Sequence, residues 1–210
     1  MNTCYILASG GFTKREAEAI RRERGPQDLL ICADGGFDHA VRYGLTPDLI
    51  MGDFDSVRNR DFGGVPVKQF PAHKDDTDTG IAIAEGELRG YRRFVLYGCL
   101  GGRLDHTVAN LSQMEGLAQR GCACELRSAR NEAHILRDGV LRLRARRGCK
   151  LSVFALFGEA RGVTLEQVEY PLKNATLTPG YPLGVSNEFQ KGEAIISVRE
   201  GTLLVILSKD

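Results

Sequence analysis

Short apolar runs alternate with longer stretches of helical periodicity over the first 126 residues of the chain. The apolar runs predict β-strands at residues 4–8, 29–33, 49–51, 65–70, 94–97 and 122–126. The periodic stretches predict helices at residues 13–24, 37–43, 77–89 and 105–119. Strands that alternate with helices along a sequence form a mostly parallel sheet with helices on its faces. The first part of the chain is therefore predicted to be an α/β domain with a Rossmann-like sheet.

The rhythm changes near residue 128, where short segments of period-two alternation begin. These segments predict strands at residues 133–137, 140–144, 150–157, 192–198 and 202–207, separated by turn pairs such as Asp138-Gly139 and Glu200-Gly201. Alternating segments joined by tight turns are typical of an antiparallel β-sandwich. We expect an α/β domain at residues 1–127 and a β-sandwich domain at residues 128–210.

The charge balance excludes two classes of partner. The 210 residues carry 28 Lys and Arg against 27 Asp and Glu, for a net charge of +1, and 42% of them are hydrophobic. General binding to nucleic acid or to an anionic membrane requires an excess of positive charge, so neither partner is expected.

The N-terminal segment matches neither a signal peptide nor a membrane span. Most of the six cysteines lie in apolar runs, as buried thiols do, and the chain is predicted to be cytoplasmic.

Aspartates follow the predicted strands of the first part. Eleven of the 13 aspartates lie within the first 124 residues. Seven of the eleven follow closely after an apolar run: Asp34, Asp53, Asp55, Asp75, Asp76, Asp78 and Asp105. In a parallel sheet such positions meet at the carboxyl edge, where ligands bind. Each aspartate alone fits a turn or a helix cap equally well. Two carboxylates about 5 Å apart, however, repel by roughly 3 kcal/mol at an effective dielectric constant of 20. A cluster therefore requires a cation, and ligands that are all oxygen favour Mg²⁺ or Mn²⁺ over zinc.

Groups suited to phosphate accompany these aspartates. Residues 98–102 form a glycine-rich turn between a predicted strand and a predicted helix, where backbone N–H groups favour an anion. Lys74 and Arg103 add positive charge nearby. The chain contains neither a P-loop motif nor the GxGxxG motif of dinucleotide-binding folds. The combination predicts a nucleotide polyphosphate bound with Mg²⁺ in a site of another type.

Five short motifs follow one another along the chain: Asp34-Gly35-Gly36, Gly52-Asp53-Phe54-Asp55-Ser56, Lys74-Asp75-Asp76-Thr77-Asp78, Gly101-Gly102-Arg103-Leu104-Asp105-His106 and Ser186-Asn187-Glu188-Phe189. In this order they resemble the signatures of the thiamine pyrophosphokinase (thiamine diphosphokinase) family. The resemblance implies a nucleotide- and Mg²⁺-binding catalytic domain, a thiamine-binding β-sandwich, and a homodimer with active sites at the subunit interface. It also implies transfer of pyrophosphate from ATP to thiamine, which gives thiamine diphosphate and AMP.

The resemblance assigns roles to individual residues. Asp53, Asp55 and Asp78 are expected to bind Mg²⁺. The residues expected to surround ATP are Asp34, Gly35, Gly36, Lys74, Thr77, Gly101, Gly102, Arg103 and Asp105. Lys74 and Arg103 are expected to stabilise the charge that develops towards AMP, and either Asp75 or Asp105 to accept the proton of the thiamine hydroxyl. Ser186 and Asn187 are expected to contact thiamine. The chain has no Trp, which eukaryotic relatives carry beside thiamine, so its stacking partner stays open.

Two other functions fit part of the pattern. One is a pyrophosphokinase that acts on another hydroxyalkyl heterocycle, such as a pterin. The other is a non-catalytic, metal-dependent nucleotide sensor whose β domain serves only in protein interaction. Product analysis with thiamine and a pterin side by side tests the first alternative. The nucleotide product tests the second, because pyrophosphoryl transfer releases AMP.

Overall fold

A computed structural model describes residues 2–55, 57–71 and 76–209 of the chain. The chain divides into two compact units. Unit 1 consists of Met1–Leu117 and Gly121–Ala129, and unit 2 consists of Ala118–Arg120 and Arg130–Asp210. Among the helices of the described residues, none is long and apolar enough to cross a membrane.

Unit 1 alternates strands and helices, as the apolar runs predict. Its elements in chain order are β1 (Thr3–Leu7), α1 (Lys14–Glu23), β2 (Leu29–Ala33), α2 (Gly36–Tyr43), β3 (Leu49–Gly52), β4 (Val67–Gln69), α3 (Asp78–Leu88), β5 (Arg93–Tyr97), α4 (Leu104–Gln119) and β6 (Ala123–Arg127). The strands pair in the order β6-β5-β1-β2-β3-β4, and every neighbouring pair is parallel. The prediction of a parallel α/β sheet is confirmed.

The strand order reverses direction at β1. The chain adds β2, β3 and β4 on one side of β1 and then returns to place β5 and β6 on the other. In sheets of this kind a crevice that binds ligands lies at the carboxyl edge, at the point where the strand order reverses. The loops that follow β1 and β5 lie at this point.

Local side-chain chemistry sets where the helices begin. The Glu16 carboxylate accepts hydrogen bonds from the backbone N–H and the hydroxyl of Thr13, at 2.8 and 2.7 Å. Thr13 is the N-cap of α1, which begins at Lys14. Thr77 caps α3, because its hydroxyl oxygen accepts the N–H of Gly80 at 3.0 Å. The sequence allowed Asp105 to be a helix cap, but it lies inside the first turn of α4. The helix dipole stabilises a carboxylate at this position.

Unit 2 is built from antiparallel strands. They are β7 (Asn131–Arg144), β8 (Cys149–Phe154), β9 (Ala160–Glu166), β10 (Leu172–Leu177), β11 (Gly184–Asn187) and β12 (Glu193–Lys209). The first half of β12 pairs with β9, its second half pairs with β8, and both halves pair with β7. Alternate residues of both halves, among them Ile196, Val198, Leu203 and Val205, contribute to one buried apolar core. The predicted antiparallel β architecture of this part is confirmed.

Two predicted turns in unit 2 are bends within long strands. The pairs Asp138-Gly139 and Glu200-Gly201 were expected to separate strands, but β7 and β12 continue through them. Asp138 has a φ of 44° and Gly201 a φ of 105°, and the Asp138 carboxylate accepts the Gly201 N–H at 2.8 Å. A register shift between Val198 and Thr202 marks the same place. These residues bend two paired strands together, so each strand serves both halves of the unit.

The cysteines are buried thiols, as their apolar surroundings predict. All six are free, and only Cys149 is partly exposed. Burial raises the pKa of Cys99 to about 12, so its thiol stays protonated and unreactive at neutral pH.

Candidate active site

A cavity of about 690 Å³ opens at the carboxyl edge of the unit 1 sheet. The loops that follow β1, β2, β3 and β5 line it, together with the first turns of α3 and α4. The predicted site residues among its lining are Asp34, Asp53, Asp55, Thr77, Asp78, Gly101, Gly102 and Arg103. The sheet therefore brings most of the sequence-predicted residues of unit 1 into one cavity.

Asp53 and Asp55 are held by the residue between them. Phe54 has a φ of 63°, which is rare for a bulky residue. Its side chain is buried, and its ring lies 5.4 Å from that of Phe62, which in turn lies 5.3 Å from the ring of Phe37. The Asp55 N–H also donates to the Asp53 carboxylate at 3.2 Å. Burial of Phe54 thus offsets the strain of a left-handed turn that presents two carboxylates.

Asp34 joins this acidic turn through the pairing of β2 with β3. The Asp34 N–H donates to the Met51 carbonyl at 2.7 Å, which places Asp34 beside the end of β3. Carboxylate oxygens of Asp34, Asp53 and Asp55 all lie within 4.8 Å of one another. Three hard oxygen donors at this spacing fit a divalent cation such as Mg²⁺. Asp78, which was predicted as the third ligand, lines the same cavity but lies outside this group of oxygens.

Two glycine turns form another wall of the cavity. The Gly10 N–H donates to the Gly98 carbonyl at 2.7 Å, and the Gly11 N–H donates to the Leu100 carbonyl at 3.0 Å. Gly98 has a φ of 66°, and a Cβ there would overlap the carbonyl oxygen of Ala8. Only glycine allows the turns to approach this closely. The two turns therefore act as one backbone surface beside the acidic residues.

The start of α3 is fastened to α4 by a residue that sequence reasoning missed. Gln113 donates through Nε2 to the Thr77 hydroxyl at 2.8 Å and approaches the Asp76 carboxylate at 3.4 Å. The Thr77 hydroxyl therefore accepts from both Gln113 and Gly80. Gln113 lies in the middle of α4, and nothing in its sequence context distinguishes it from an ordinary surface glutamine.

Arg103 and Asp105 form an ion pair at the rim of the cavity. Arg103 donates through Nη2 to Asp105 Oδ2 at 2.5 Å and through Nε to Oδ1 at 3.1 Å. Both side chains are exposed. The hydrogen bonds from Arg103 lower the pKa of Asp105, and the same contact raises the pKa of Arg103. Asp105 is not among the residues that line the cavity, although its partner Arg103 is.

The remaining predicted residues of unit 1 have other locations. Gly35 is the N-cap of α2, and Gly36 is its first residue, where a Cβ would overlap the carbonyl oxygen of Leu7. Neither glycine lines the cavity, so Gly36 serves the close approach of α2 to β1. Lys74 and Asp75 lie outside the described residues.

In unit 2 the Ser186-Asn187 pair lies in β11 rather than in a turn. Ser186 is exposed and has a φ of 59°. Asn187 is only 2% exposed, and its side-chain oxygen accepts the Tyr170 N–H at 2.9 Å while its amide donates to the Tyr170 carbonyl at 2.8 Å. The Tyr170 side chain itself is 67% exposed. Asn187 therefore holds the backbone of an exposed aromatic residue that the sequence did not single out.

Two family models match the chain. The model of the thiamin pyrophosphokinase catalytic domain matches residues 22–126, and the model of the thiamin pyrophosphokinase vitamin B1 binding domain matches residues 140–203. The chain belongs to the thiamin pyrophosphokinase family. The resemblance seen in the five motifs is thereby confirmed, and the pterin and sensor alternatives are not favoured.

Relatives with known structures agree with this membership. The chain is 27% identical over 216 residues to the thiamine pyrophosphokinase of Bacillus subtilis (strain 168), and the match covers 100% of both chains. A crystal structure of the thiamine pyrophosphokinase of Bacillus subtilis has a TM-score of 0.89 at 24% identity and covers 100% of each chain. That of Geobacillus thermodenitrificans has a TM-score of 0.84 at 27% identity, over 99% of this chain and 98% of the other. The family fold thus extends over the whole chain.

Proposed function

We propose that the chain transfers a pyrophosphoryl group from ATP to the hydroxyethyl oxygen of thiamine, which yields thiamine diphosphate and AMP. One observation carries the proposal: three carboxylates and two linked glycine turns meet in one cavity of unit 1. Carboxylates suit a metal that accompanies phosphates, and exposed backbone at a glycine turn suits the phosphates themselves. Membership of the thiamin pyrophosphokinase family supplies the substrate.

The metal in this proposal is Mg²⁺, held by Asp53 and Asp55 with Asp34 beside them, and Asp78 lines the same cavity. When bound, Mg²⁺ would neutralise charge on the phosphates of ATP. The side chains and backbone of the site position the substrates and stabilise the developing charge, because phosphoryl transfer depends mainly on positioning and on electrostatic stabilisation. Phe54 serves this purpose by fixing the direction of both flanking carboxylates.

Arg103 is proposed to stabilise the negative charge that develops towards AMP, together with Lys74. An Arg guanidinium binds phosphate oxygens through two parallel N–H groups. Asp105 already binds the Arg103 guanidinium through Nε and Nη2. Both carboxylate oxygens of Asp105 accept hydrogen bonds from Arg103, and Asp105 does not line the cavity. We therefore assign Asp105 to orienting Arg103, and Asp75 stays the predicted acceptor of the thiamine proton.

Thiamine is proposed to bind to unit 2 beside Ser186 and Tyr170. The exposed ring of Tyr170 offers an aromatic face near this motif in a chain without Trp. An aromatic ring also attracts a cationic ligand such as thiamine. Asn187 is proposed to act through Tyr170, since its amide is engaged with the Tyr170 backbone.

We further propose that the chain works as a cytoplasmic homodimer with its active sites at the subunit interface. The support is the resemblance to the family. Size-exclusion chromatography with light scattering is expected to give about twice the chain mass of 23.0 kDa. A monomer at micromolar concentration would refute the shared site.

The reaction is tested with ATP, Mg²⁺ and thiamine, followed by identification of both products. AMP and thiamine diphosphate support the proposal, whereas ADP, or no nucleotide product, refutes it. A pterin substrate in a parallel reaction is expected to give no product.

The metal ligands are tested with Asp53→Asn and Asp55→Asn, which remove charge and nearly keep shape. Asp61→Asn is the matched control, since Asp61 is exposed and accepts the Gly63 N–H of its own loop at 3.0 Å. Each ligand variant is expected to need at least about tenfold more Mg²⁺ for half-maximal activity, and the control about the same as the wild type. If both ligand variants match the control at limiting Mg²⁺, the assignment is wrong.

A further inference from the structure

Two consecutive side chains of α2 reach two different loops of the cavity. Asp38 accepts the Arg58 N–H through Oδ2 at 3.0 Å and the Asn59 N–H through Oδ1 at 2.9 Å. Both carboxylate oxygens are thus used, and hydrogen bonds to a charged acceptor are stronger than neutral ones. Asp38 fastens the segment that follows the acidic turn of Asp53 and Asp55 to the helix.

His39 makes the equivalent contact on the other side. Its Nε2 donates to the Gly10 carbonyl at 2.8 Å and lies 3.3 Å from the Ser9 carbonyl. Ser9 and Gly10 line the cavity, and Gly10 in turn donates to Gly98 of the second glycine turn. A single imidazole therefore connects α2 to both glycine turns.

The helix that carries these residues is itself firmly seated. Gly36 lets α2 approach the backbone of Leu7, and the Phe37 side chain is buried. Asp34, a member of the carboxylate group, lies two residues before the helix begins. Neither Asp38 nor His39 lines the cavity. Their contacts act on the loops and leave the ligands to the residues already described.

We propose that Asp38 and His39 are positioning residues, with Asp38 setting the metal-binding acidic turn and His39 setting the phosphate-binding glycine turns. The inference rests on the proposed function of the cavity. It predicts separable defects, because the two side chains hold different loops. Loss of Asp38 weakens metal binding, and loss of His39 weakens nucleotide binding.

The Asp38 arm compares Asp38→Ala and Asp38→Asn with Asp61→Ala. Asp61 lies in the same loop and its replacement removes the same charge, but the hydrogen bond that it accepts comes from Gly63 of the loop itself and not from a helix. Binding of Mn²⁺ alone is measured by electron paramagnetic resonance. Asp38→Ala is expected to weaken Mn²⁺ binding by about tenfold, and Asp38→Asn, which keeps one acceptor oxygen, by less. Asp61→Ala is expected to stay within about twofold of the wild type.

The His39 arm compares His39→Leu with His39→Gln. Leucine removes the donor at similar volume, whereas the glutamine amide restores an N–H near the position of Nε2. Binding of AMP is measured by calorimetry, and the KM values for ATP and thiamine are measured in the full reaction. His39→Leu is expected to weaken AMP binding and raise the KM for ATP by about tenfold, with the KM for thiamine and Mn²⁺ binding unchanged. His39→Gln is expected to restore most of the loss.

The outcomes separate this inference from the function on which it rests. If the wild type binds neither Mn²⁺ nor AMP, the proposed function fails. If it binds both and the variants match their controls, the positioning roles are refuted. Equal loss of both ligands in each variant, with a lower melting temperature, also refutes them, because that result indicates general destabilisation. Asp38→Asn and His39→Gln keep the test valid if the larger changes prevent folding.

Discussion

Replacing Gly98 with alanine tests the close approach of the two glycine turns, and Gly90 offers a matched control. Both glycines have a left-handed backbone, with φ of 66° at Gly98 and 86° at Gly90. Among the described residues, nothing lies within 4 Å of a Cβ built at Gly90. At Gly98 a Cβ would overlap the Ala8 carbonyl oxygen and lie 2.8 Å from its carbon. The two variants therefore share backbone strain and differ only in the overlap.

The magnitudes follow from the contacts. The left-handed backbone costs an alanine about 1–2 kcal/mol at either position. Relief of the overlap at Gly98 requires Ala8 to move, although Ala8 donates to the Tyr97 carbonyl at 2.9 Å and Gly98 accepts from Gly10 at 2.7 Å. Overpacking and the loss of such bonds add about 2–3 kcal/mol. Gly98→Ala is thus expected to lower the free energy of unfolding by about 3–5 kcal/mol, against about 1–2 kcal/mol for Gly90→Ala.

Urea denaturation followed by circular dichroism measures both losses. The KM for ATP gives a second reading, because Gly98 lines the cavity and Gly90 does not. We expect this KM to rise at least about tenfold in Gly98→Ala and to change less than about twofold in Gly90→Ala. Equal destabilisation by the two variants, or an unchanged KM in Gly98→Ala, would show that the turns do not depend on this approach.

Four further results are expected. Tyr170→Phe should keep the KM for thiamine, whereas Tyr170→Leu should raise it about threefold to tenfold; equal values would remove Tyr170 from the site. Thr77→Ala should lower the free energy of unfolding by about 1 kcal/mol and Thr77→Ser should not, since only alanine deletes the cap oxygen. Burial alone would raise the pKa of Glu132, but hydrogen bonds from His134 and Arg146 outweigh it and lower this pKa from 4.5 to about 2. The resulting stability is present above pH 4.5 and is lost as the pH falls towards 2, so urea denaturation should show a weaker acid dependence in Glu132→Gln; identical curves would contradict the pKa. Iodoacetamide at pH 8 should label Cys99 only as unit 1 unfolds, and rapid labelling of Cys99 itself in the native chain, located by peptide mass mapping, would contradict its burial.

Local patterns along the chain predicted most of the helices and strands and the aspartates of the candidate site. The apolar runs located every strand of unit 1, because a run of apolar residues depends only on neighbours along the chain. The aspartates after β2 and β3 were expected together, since parallel strands share a carboxyl edge. Strands β9, β10 and β11 were missed, because their exposed positions and turn residues blur the period-two pattern.

The amino-acid order settled the alternation of elements, the chemistry of the acidic loops and the family, since each depends on residue types at short spacing. Only the tertiary structure decided the order of the strands and the contacts between residues that are distant in the chain. The order of strands around β1 opens the crevice, yet no residue pattern states which parallel strands pair. In the same way Asp38, His39 and Gln113 became informative only when folding placed them against loops 20 to 37 residues away along the chain. Tyr170 likewise became a candidate only through Asn187 of β11, whose side-chain amide binds the Tyr170 backbone.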